Sequence, residues 1–428
     1  MKNITKLLLT SALVAGVSSV SFADAPIVTV GGKVDSRLGV TSQKSDYKTS
    51  GATTADSKNA RTNMSTSAKV SVKAEGRNDA GLVYGVQIDL DDLKNAKLDN
   101  DAADDVARIR RSFVYFDSAM GRIELGNQDA ASKSMKVDAT NIARASGGID
   151  GDALSFVNDR VGYMDIANSA AGTDRTPAQY LTDAELHADE SSSVRKYNKV
   201  TYYTPDMNGL KFGISYAGDN ESRGGLSGMK GKDFTAATAV LARTSRIGFT
   251  NIFSGSLAYD YAIDNVAIKL GASGQYGKAK KNLTATANSD RDIYHNLRAY
   301  NVGAVVSYAN ISLAGSYGDN GKSGNTKETD IFNTSKAKYY TAGASIVQGP
   351  IGLSVTNFSS KRMKNKFDML SVGADYEVAK GALAYVEGNF FSYKPEKSKV
   401  YTTAATGTSV AASKNSGSVV LVGAKLNF

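Results

Sequence analysis

The sequence predicts an all-β chain folded as a transmembrane, antiparallel up-and-down β-barrel of about sixteen strands. Three observations predict it. Segments of about ten residues alternate apolar and polar side chains with period two, the length a tilted strand needs to cross a bilayer. The connections between them alternate between brief turns and long polar stretches. No segment past the N-terminus reaches the ~18 consecutive apolar residues that a helical span requires.

The chain opens on Lys2 and Lys6, then an apolar run from Leu7 to Val20, then Ser21-Phe22-Ala23 before Asp24. A charged start, a short apolar stretch and a small-x-small ending are the parts of a secretory signal, expected here over residues 1–23 with cleavage after Ala23. Cleavage after Ala25 also fits the pattern but leaves Pro26 at the new N-terminus. Residues 24–428 contain no Pro-rich or Gly/Ser-rich linker and are expected to form one barrel domain. The 41% hydrophobic content suits such a barrel, because outward and inward side chains alternate and hydropathy cancels along each strand.

The first strand is the clearest. Val28, Val30, Val34, Leu38 and Val40 fall on one face, and Thr29, Lys33, Asp35 and Arg37 on the other. Ala68, Val70, Val72 and Ala74 then oppose Lys69, Ser71, Lys73, Glu75 and Arg77, and Leu82, Tyr84, Val86, Ile88 and Leu90 oppose Gly85, Gln87 and Asp89. Only Asn78-Asp79-Ala80-Gly81 separates the last two, which marks a hairpin. Further strands are expected over 107–117, 121–129, 195–204, 209–217, 252–261, 265–276, 297–308, 311–317, 337–347, 351–359, 367–377, 382–393 and 417–428.

Short turns fall at 117–121, 205–209, 262–264, 348–350 and 378–381. Long polar connections fall at 41–65, 91–106, 130–194, 218–251, 278–296, 318–336 and 394–416, and only the connection near 361–366 is short for its place. Outer-membrane barrels alternate in this way, with short turns in the periplasm and longer loops outside. A soluble sandwich or propeller is the competing fold. Phe428 ends a strand whose apolar face is Val420, Val422, Ala424 and Leu426. A terminal Phe in that register is similar to the assembly signal of outer-membrane barrels.

Charge and composition exclude several functions. The net charge of +9 falls by two, to +7, once Lys2 and Lys6 leave, and the bases are scattered, so no nucleic-acid partner is expected. There is no cysteine, and His187 and His295 stand in polar, loop-like sequence without a recognisable second ligand, so no metal and no cofactor is expected. The pairs Asp91-Asp92 and Asp104-Asp105 are solvated loop charge, and Gly271, Gly274 and Gly277 lie within a strand, where they cradle no phosphate. No enzymatic constellation emerges.

Four segments carry a resemblance: Val28-Thr29-Val30-Gly31-Gly32-Lys33-Val34-Asp35; Arg110-Arg111-Ser112-Phe113-Val114-Tyr115-Phe116 leading to Gly121-Arg122-Ile123-Glu124-Leu125-Gly126-Asn127-Gln128; Asn198-Lys199-Val200-Thr201-Tyr202-Tyr203-Thr204-Pro205 followed by Asn208-Gly209-Leu210; and the ending Val422 to Phe428. In this order they resemble the general bacterial porins, trimeric sixteen-stranded diffusion channels of Gram-negative outer membranes. The resemblance implies a homotrimer in outer-membrane lipid, passing ions and small hydrophilic solutes passively. It also implies that the third long loop, within 130–194, folds into the lumen and sets acids against a basic wall.

By that resemblance the basic wall falls on Lys33, Lys69, Arg110 and Arg195, and Lys33 and Lys69 do lie opposite the apolar stripes of their strands. The inward loop offers Asp138, Arg144, Asp150 and Asp152. It departs from the family by placing Asn141 and Arg144 where acids are usual, which implies a more basic constriction and weak anion selectivity. Opposed charges across a narrow, low-dielectric passage focus a transverse field that orients dipolar solutes. Two other readings stay open: a substrate-specific channel, with an aromatic or basic track, and a surface adhesin or structural barrel with a closed lumen.

Overall fold

The computed structural model of the 428-residue chain describes residues 26–44, 61–91, 108–157, 197–219, 249–279, 282–283, 290–291, 295–324, 327, 336–362, 365–394, 400–402, 409–411 and 414–428. The segment expected as a signal, 1–23, lies outside the described residues. Sixteen strands, each paired antiparallel with its sequence neighbours, close into a barrel. They are β1 (Ile27–Gln43), β2 (Thr62–Arg77), β3 (Val83–Asp91), β4 (Arg108–Ser118), β5 (Gly121–Gln128), β6 (Tyr197–Tyr203), β7 (Leu210–Asp219), β8 (Phe249–Ile263), β9 (Val266–Ala279), β10 (Leu297–Tyr308), β11 (Ile311–Gly321), β12 (Ala337–Gln348), β13 (Ile351–Arg362), β14 (Asn365–Ala379), β15 (Ala382–Lys394) and β16 (Asn415–Asn427). Two small strand pairs, Asn282–Leu283 with Asp290–Arg291 and Val400–Thr402 with Ser409–Ala411, stand apart from the barrel sheet.

β1 closes the barrel on β16, in register from Lys33↔Asn427 to Gln43↔Gly417. The seam continues past the strand end: Gly32 N donates to Phe428 O at 2.8 Å and Phe428 N donates to Gly32 O at 3.0 Å. The Phe428 ring occupies the place where a Cβ on Gly32 would stand, so this pairing requires glycine.

Turn chemistry fixes the short connections. Between β6 and β7, Asn208 and Gly209 both take positive φ, 56° and 88°, the backbone that favours Asn-Gly in hairpin turns. Asp206 Oδ1 accepts from Gly209 N at 2.8 Å. Several strands run further than the apolar alternation predicts, and mostly at the long-loop end. β8 begins at Phe249 rather than 252, and β13 and β14 extend until two residues, 363 and 364, separate them. Polar side chains pair along a ladder as well as apolar ones, so hydropathy does not mark those ends.

The two faces of the sheet differ as period two requires. Outward stand Val34, Leu38, Val114, Phe116, Ile214, Val302, Val306, Leu353, Val355 and Val422, all exposed on the isolated chain. Outward aromatics form two belts, with Phe116, Phe212, Tyr261, Tyr308 and Tyr376 towards the short turns and Tyr216, Phe253, Tyr276, Tyr300, Tyr340 and Phe390 towards the long connections. Aromatic girdles at both interfaces are the mark of a barrel seated in a bilayer. The inward face carries polar residues, and on β12 to β16 it also carries a packed set of Tyr339, Phe358, Phe367, Met369, Tyr385, Phe391, Tyr393 and Leu421. Burying each of these is worth roughly 1.5–3 kcal/mol. What covers them is the third long connection.

Candidate functional site

The inward face of β1 to β5 is a lattice of charges. Along β1, Lys33, Asp35 and Arg37 share a face. The Asp35 carboxylate has Lys33 Nζ at 3.6 Å, Arg37 Nη2 at 3.8 Å and Lys425 Nζ at 3.9 Å, and it accepts from the Tyr385 hydroxyl at 2.7 Å. Asp89 on β3 accepts from Ser71 and Arg111, and from Gln87 at 3.0 Å, with Lys69 Nζ at 3.7 Å. Glu75 is paired with Lys73 at 2.6 Å and accepts from the Tyr115 hydroxyl at 2.5 Å. The Arg122 guanidinium lies 4.0 Å from the centre of the Tyr115 ring and pairs with Glu124 at 2.7 Å. At two pairs exposure separates the signs of charge, whereas Arg37 is buried at 2% and Glu75 is as open as Lys73, 40% against 41%. The Lys33 and Lys69 side chains are 41% and 35% exposed, whereas those of Asp35 and Asp89 beneath them are 1% and 0%.

Beyond β5 the chain runs as α1 (Ala131–Ser134) and three 3-10 turns, Ala139–Ile142, Gly148–Asp150 and Asp152–Phe156. None is long enough to satisfy its own backbone, so wall side chains supply the missing partners. Ala131 N donates to Ser215 Oγ at 2.8 Å and Ser132 N to Ser254 Oγ at 3.2 Å. Ala139 N donates to Thr341 Oγ1 at 3.1 Å and Arg144 N to Ser354 Oγ at 2.9 Å. Glu387 accepts three times from the segment, from Ser146 N at 3.1 Å, Ser146 Oγ at 2.7 Å and Gly148 N at 3.0 Å, and once from its strand neighbour Asn389 at 2.9 Å. Lys425 Nζ donates to Ala145 O at 2.8 Å, Asp152 pairs with Arg37 at 2.6 Å, and Thr41 Oγ1 donates to Phe156 O at 3.0 Å. The segment thus touches the inward face of β7, β8, β12 to β16 and β1.

Missing side chains make room for it. Gly271 and Gly303 are direct cross-strand partners, and a Cβ on either would strike Val137. Gly343 lies against Ala139, Gly352 against the Arg144 guanidinium, Gly373 against Ala145 and Gly39 against the Phe156 ring.

The residues singled out from sequence take different places. Lys33 and Lys69 stand on the charged wall. Next to Arg110, expected on the basic wall, it is Arg111 that meets Asp89 and, at 3.5 Å, Asp129. The ladder jumps from Asp89↔Arg111 to Leu90↔Ile109, so Arg110 is the extra residue of a bulge that changes the strand's parity. Below the bulge Phe113 and Tyr115 turn inward and Val114 and Phe116 outward. Arg195 lies outside the described residues.

On the loop, Asp138 is buried and caps the turn Ala139–Ile142, with Asn141 returning the bond to its backbone N–H. That reciprocal box explains an Asn at 141. Arg144 does not offer a free charge: its guanidinium pairs with Asp375 at 2.6 Å. Asp150 and Asp152 are exposed, the latter at 58% of its side chain while paired with Arg37. Sequence reasoning missed Asp375, Glu387 and Lys425. Their inward face also carries Phe367, Met369 and Leu421, and this mixture hid which face was the lining.

A closed barrel with an apolar outer band, two aromatic belts and a charged interior defines a channel protein of the outer-membrane type. The chain belongs to the Gram-negative porin family, whose model matches residues 10–396. An uncharacterized protein of Rickettsia bellii (strain RML369-C) is 30% identical over 342 residues, 74% of this chain and 76% of that one. The protein RT0064 of Rickettsia typhi (strain Wilmington), likewise uncharacterized, is 30% identical over 346 residues with the same shares. Among solved structures, the anion-selective porin from Comamonas acidovorans is similar with a TM-score of 0.54 at 17% identity, covering 94% of this chain and 100% of that one. The loop L8 deletion mutant of OmpT, an outer membrane protein of Vibrio cholerae, gives 0.52 at 11% identity, covering 95% and 100%. At these identities the likeness to solved structures is one of fold.

Proposed function

We propose that this outer-membrane channel passes ions and small hydrophilic solutes by passive diffusion, with a weak preference for anions. The observation that carries the preference is the burial of Asp35 and Asp89 beneath the exposed ammonium groups of Lys33 and Lys69. At these two positions a passing ion meets the ammonium group before the carboxylate, and low-dielectric walls strengthen that field. This basis replaces the one expected from Arg144, whose charge is offset by Asp375.

We further propose that residues 129–157 narrow the channel, leaving a passage between the loop and the charged wall of β1 to β5. Support comes from the loop's contacts with β7, β8 and β12 to β16 and from the glycines beneath it. Removal of residues 1–23 on export, assembly as a homotrimer and use of Phe428 in barrel assembly complete the proposal. They rest on the sequence pattern and the resemblance.

Single-channel recording in planar bilayers tests the reading. Large ohmic steps are expected, with a reversal potential on the anion side in a salt gradient. The triple variant K33Q/K69Q/K73Q is expected to move that potential towards cations with little change in conductance. Conductance that saturates with one solute supports a specific channel instead, and absence of conductance supports a closed barrel.

A further inference from the structure

On the outer face, at the long-connection end, four lysines stand in one cross-strand row. Lys338 of β12 pairs in register with Lys361 of β13, Lys361 with Lys366 of β14, and Lys366 with Lys394 of β15. All four are exposed, and their chain neighbours Tyr339, Ser360, Phe367 and Tyr393 are buried on the inward face. Strands lie about 4.8 Å apart, so the row places four like charges within about 14 Å. Like charges directly opposite each other destabilise a sheet. Asp319 of β11 relieves only the end of the row, pairing with Lys338 at 3.7 Å. Among the described residues, Lys361, Lys366 and Lys394 have no carboxylate partner.

Three further features say what would relieve the rest. β13 and β14 are joined by two residues only, 363 and 364, so no long connection rises between them beside the row. The next outward row is Tyr340, Ser359, Asp368 and Ser392, in which Ser359 Oγ donates to Asp368 at 2.5 Å. Below that comes the apolar band of Val355, Leu370, Val372 and Phe390. Cation, hydroxyl and apolar layers follow one another as phosphate, sugar or glycerol, and acyl chain do in a lipid. At the same end β1, β2 and β4 present Val40, Met64 and Ile109 among their exposed outward residues, and β9 and β10 present the single bases Lys278 and Arg298.

The geometry points to this lysine arc as a binding site for the phosphates of a lipid headgroup in the outer leaflet, the acyl chains lying on Leu370, Phe390 and their neighbours. A free anion would use the charges alone, whereas a lipid uses all three layers. The inference rests on the outer-membrane reading, in which the long connections face outward from the cell.

The test uses the folded full chain in detergent with EDTA present, to exclude bridging by divalent cations. Bis-phosphorylated lipid A is titrated in and bound lipid is counted by native mass spectrometry. The expected result is a loss of tenfold or more in affinity for K338Q/K361Q/K366Q/K394Q, and retention of binding by the corresponding Lys→Arg variant, which also shows that the row tolerates substitution. Equal binding by the parent and the Lys→Gln variant would overturn the site. So would equal binding of dephosphorylated lipid A, or displacement of the lipid by inorganic pyrophosphate at concentrations matching its phosphate content. Channel recordings of the same Lys→Gln protein are expected to match the parent. Loss of conductance in the parent itself would instead count against the channel reading, leaving the lipid result to stand by itself.

Discussion

Arg144 reaches across the lining to Asp375, its guanidinium 2.6 Å from one carboxylate oxygen while the backbone N–H of Ala145 holds the other at 2.8 Å. The wall thus neutralises the loop's conspicuous base and pins its backbone with a single side chain.

Asp375→Ala removes both functions at once. An unpartnered guanidinium and an unpartnered buried N–H each cost about 1–3 kcal/mol, so the loop should loosen around residue 144. Single-channel traces are expected to become noisier, and the reversal potential to move towards anions as the Arg144 charge is freed.

Glu387 is the more heavily used anchor, since it accepts from Ser146 twice and from Gly148. Glu387→Ala should release the turn Gly148–Asp150 from the wall. Limited trypsin digestion of the folded protein is expected to cut at Arg144 in this variant and to spare the parent. Glu387→Gln, which keeps acceptor oxygen but loses charge, should fall between them.

Gly303→Val tests the fit of loop to wall without touching any charge. Its side chain would occupy the space of the Val137 carbonyl, so the loop must lift. A change in conductance with intact heat stability is the expected result. Gly315→Val, where a Cβ meets nothing nearer than 3.6 Å, is the matched control and should leave conductance unaltered.

Phe428→Ala removes the ring that covers Gly32 while leaving the two backbone bonds of the seam. Gly32→Leu attacks the same contact from the other side. Both variants are expected to unfold at lower temperature on heat-modifiable gels and to accumulate less in the outer membrane.

The barrel was legible because its two periodicities are independent of each other: alternation within strands, and alternation of connection length. Lys33 and Lys69 were legible for the same reason, since β1 and β2 keep an apolar face opposite a charged one. Arg111 was not, because the bulge at Arg110 shifts parity and aromatics occupy both faces of β4. Asp375, Glu387 and Lys425 were hidden by the buried aromatics on their own face. Those aromatics are apolar and inward because a loop, not water, covers them. The pattern rule assumes a wet lining, and on β12 to β16 the lining is partly dry. Gly271 lies within a strand, as its sequence context indicated. Its use, as half of a gap for Val137, depends on Gly303 in another strand.

The distribution of the loop's anchors also sets an order of events. Ser146 and Glu387 are 241 positions apart, and Ala145 and Lys425 are 280. Asp375, Glu387 and Lys425 stand side by side on one face only when β14, β15 and β16 have paired, so the loop can dock only on an assembled wall. Until it does, Asp375 and Glu387 are hydrated. Docking of the loop then dries one side of the lining. On the proposed reading this step also narrows the channel, and a chain in which it fails is expected to span the membrane with a wider opening.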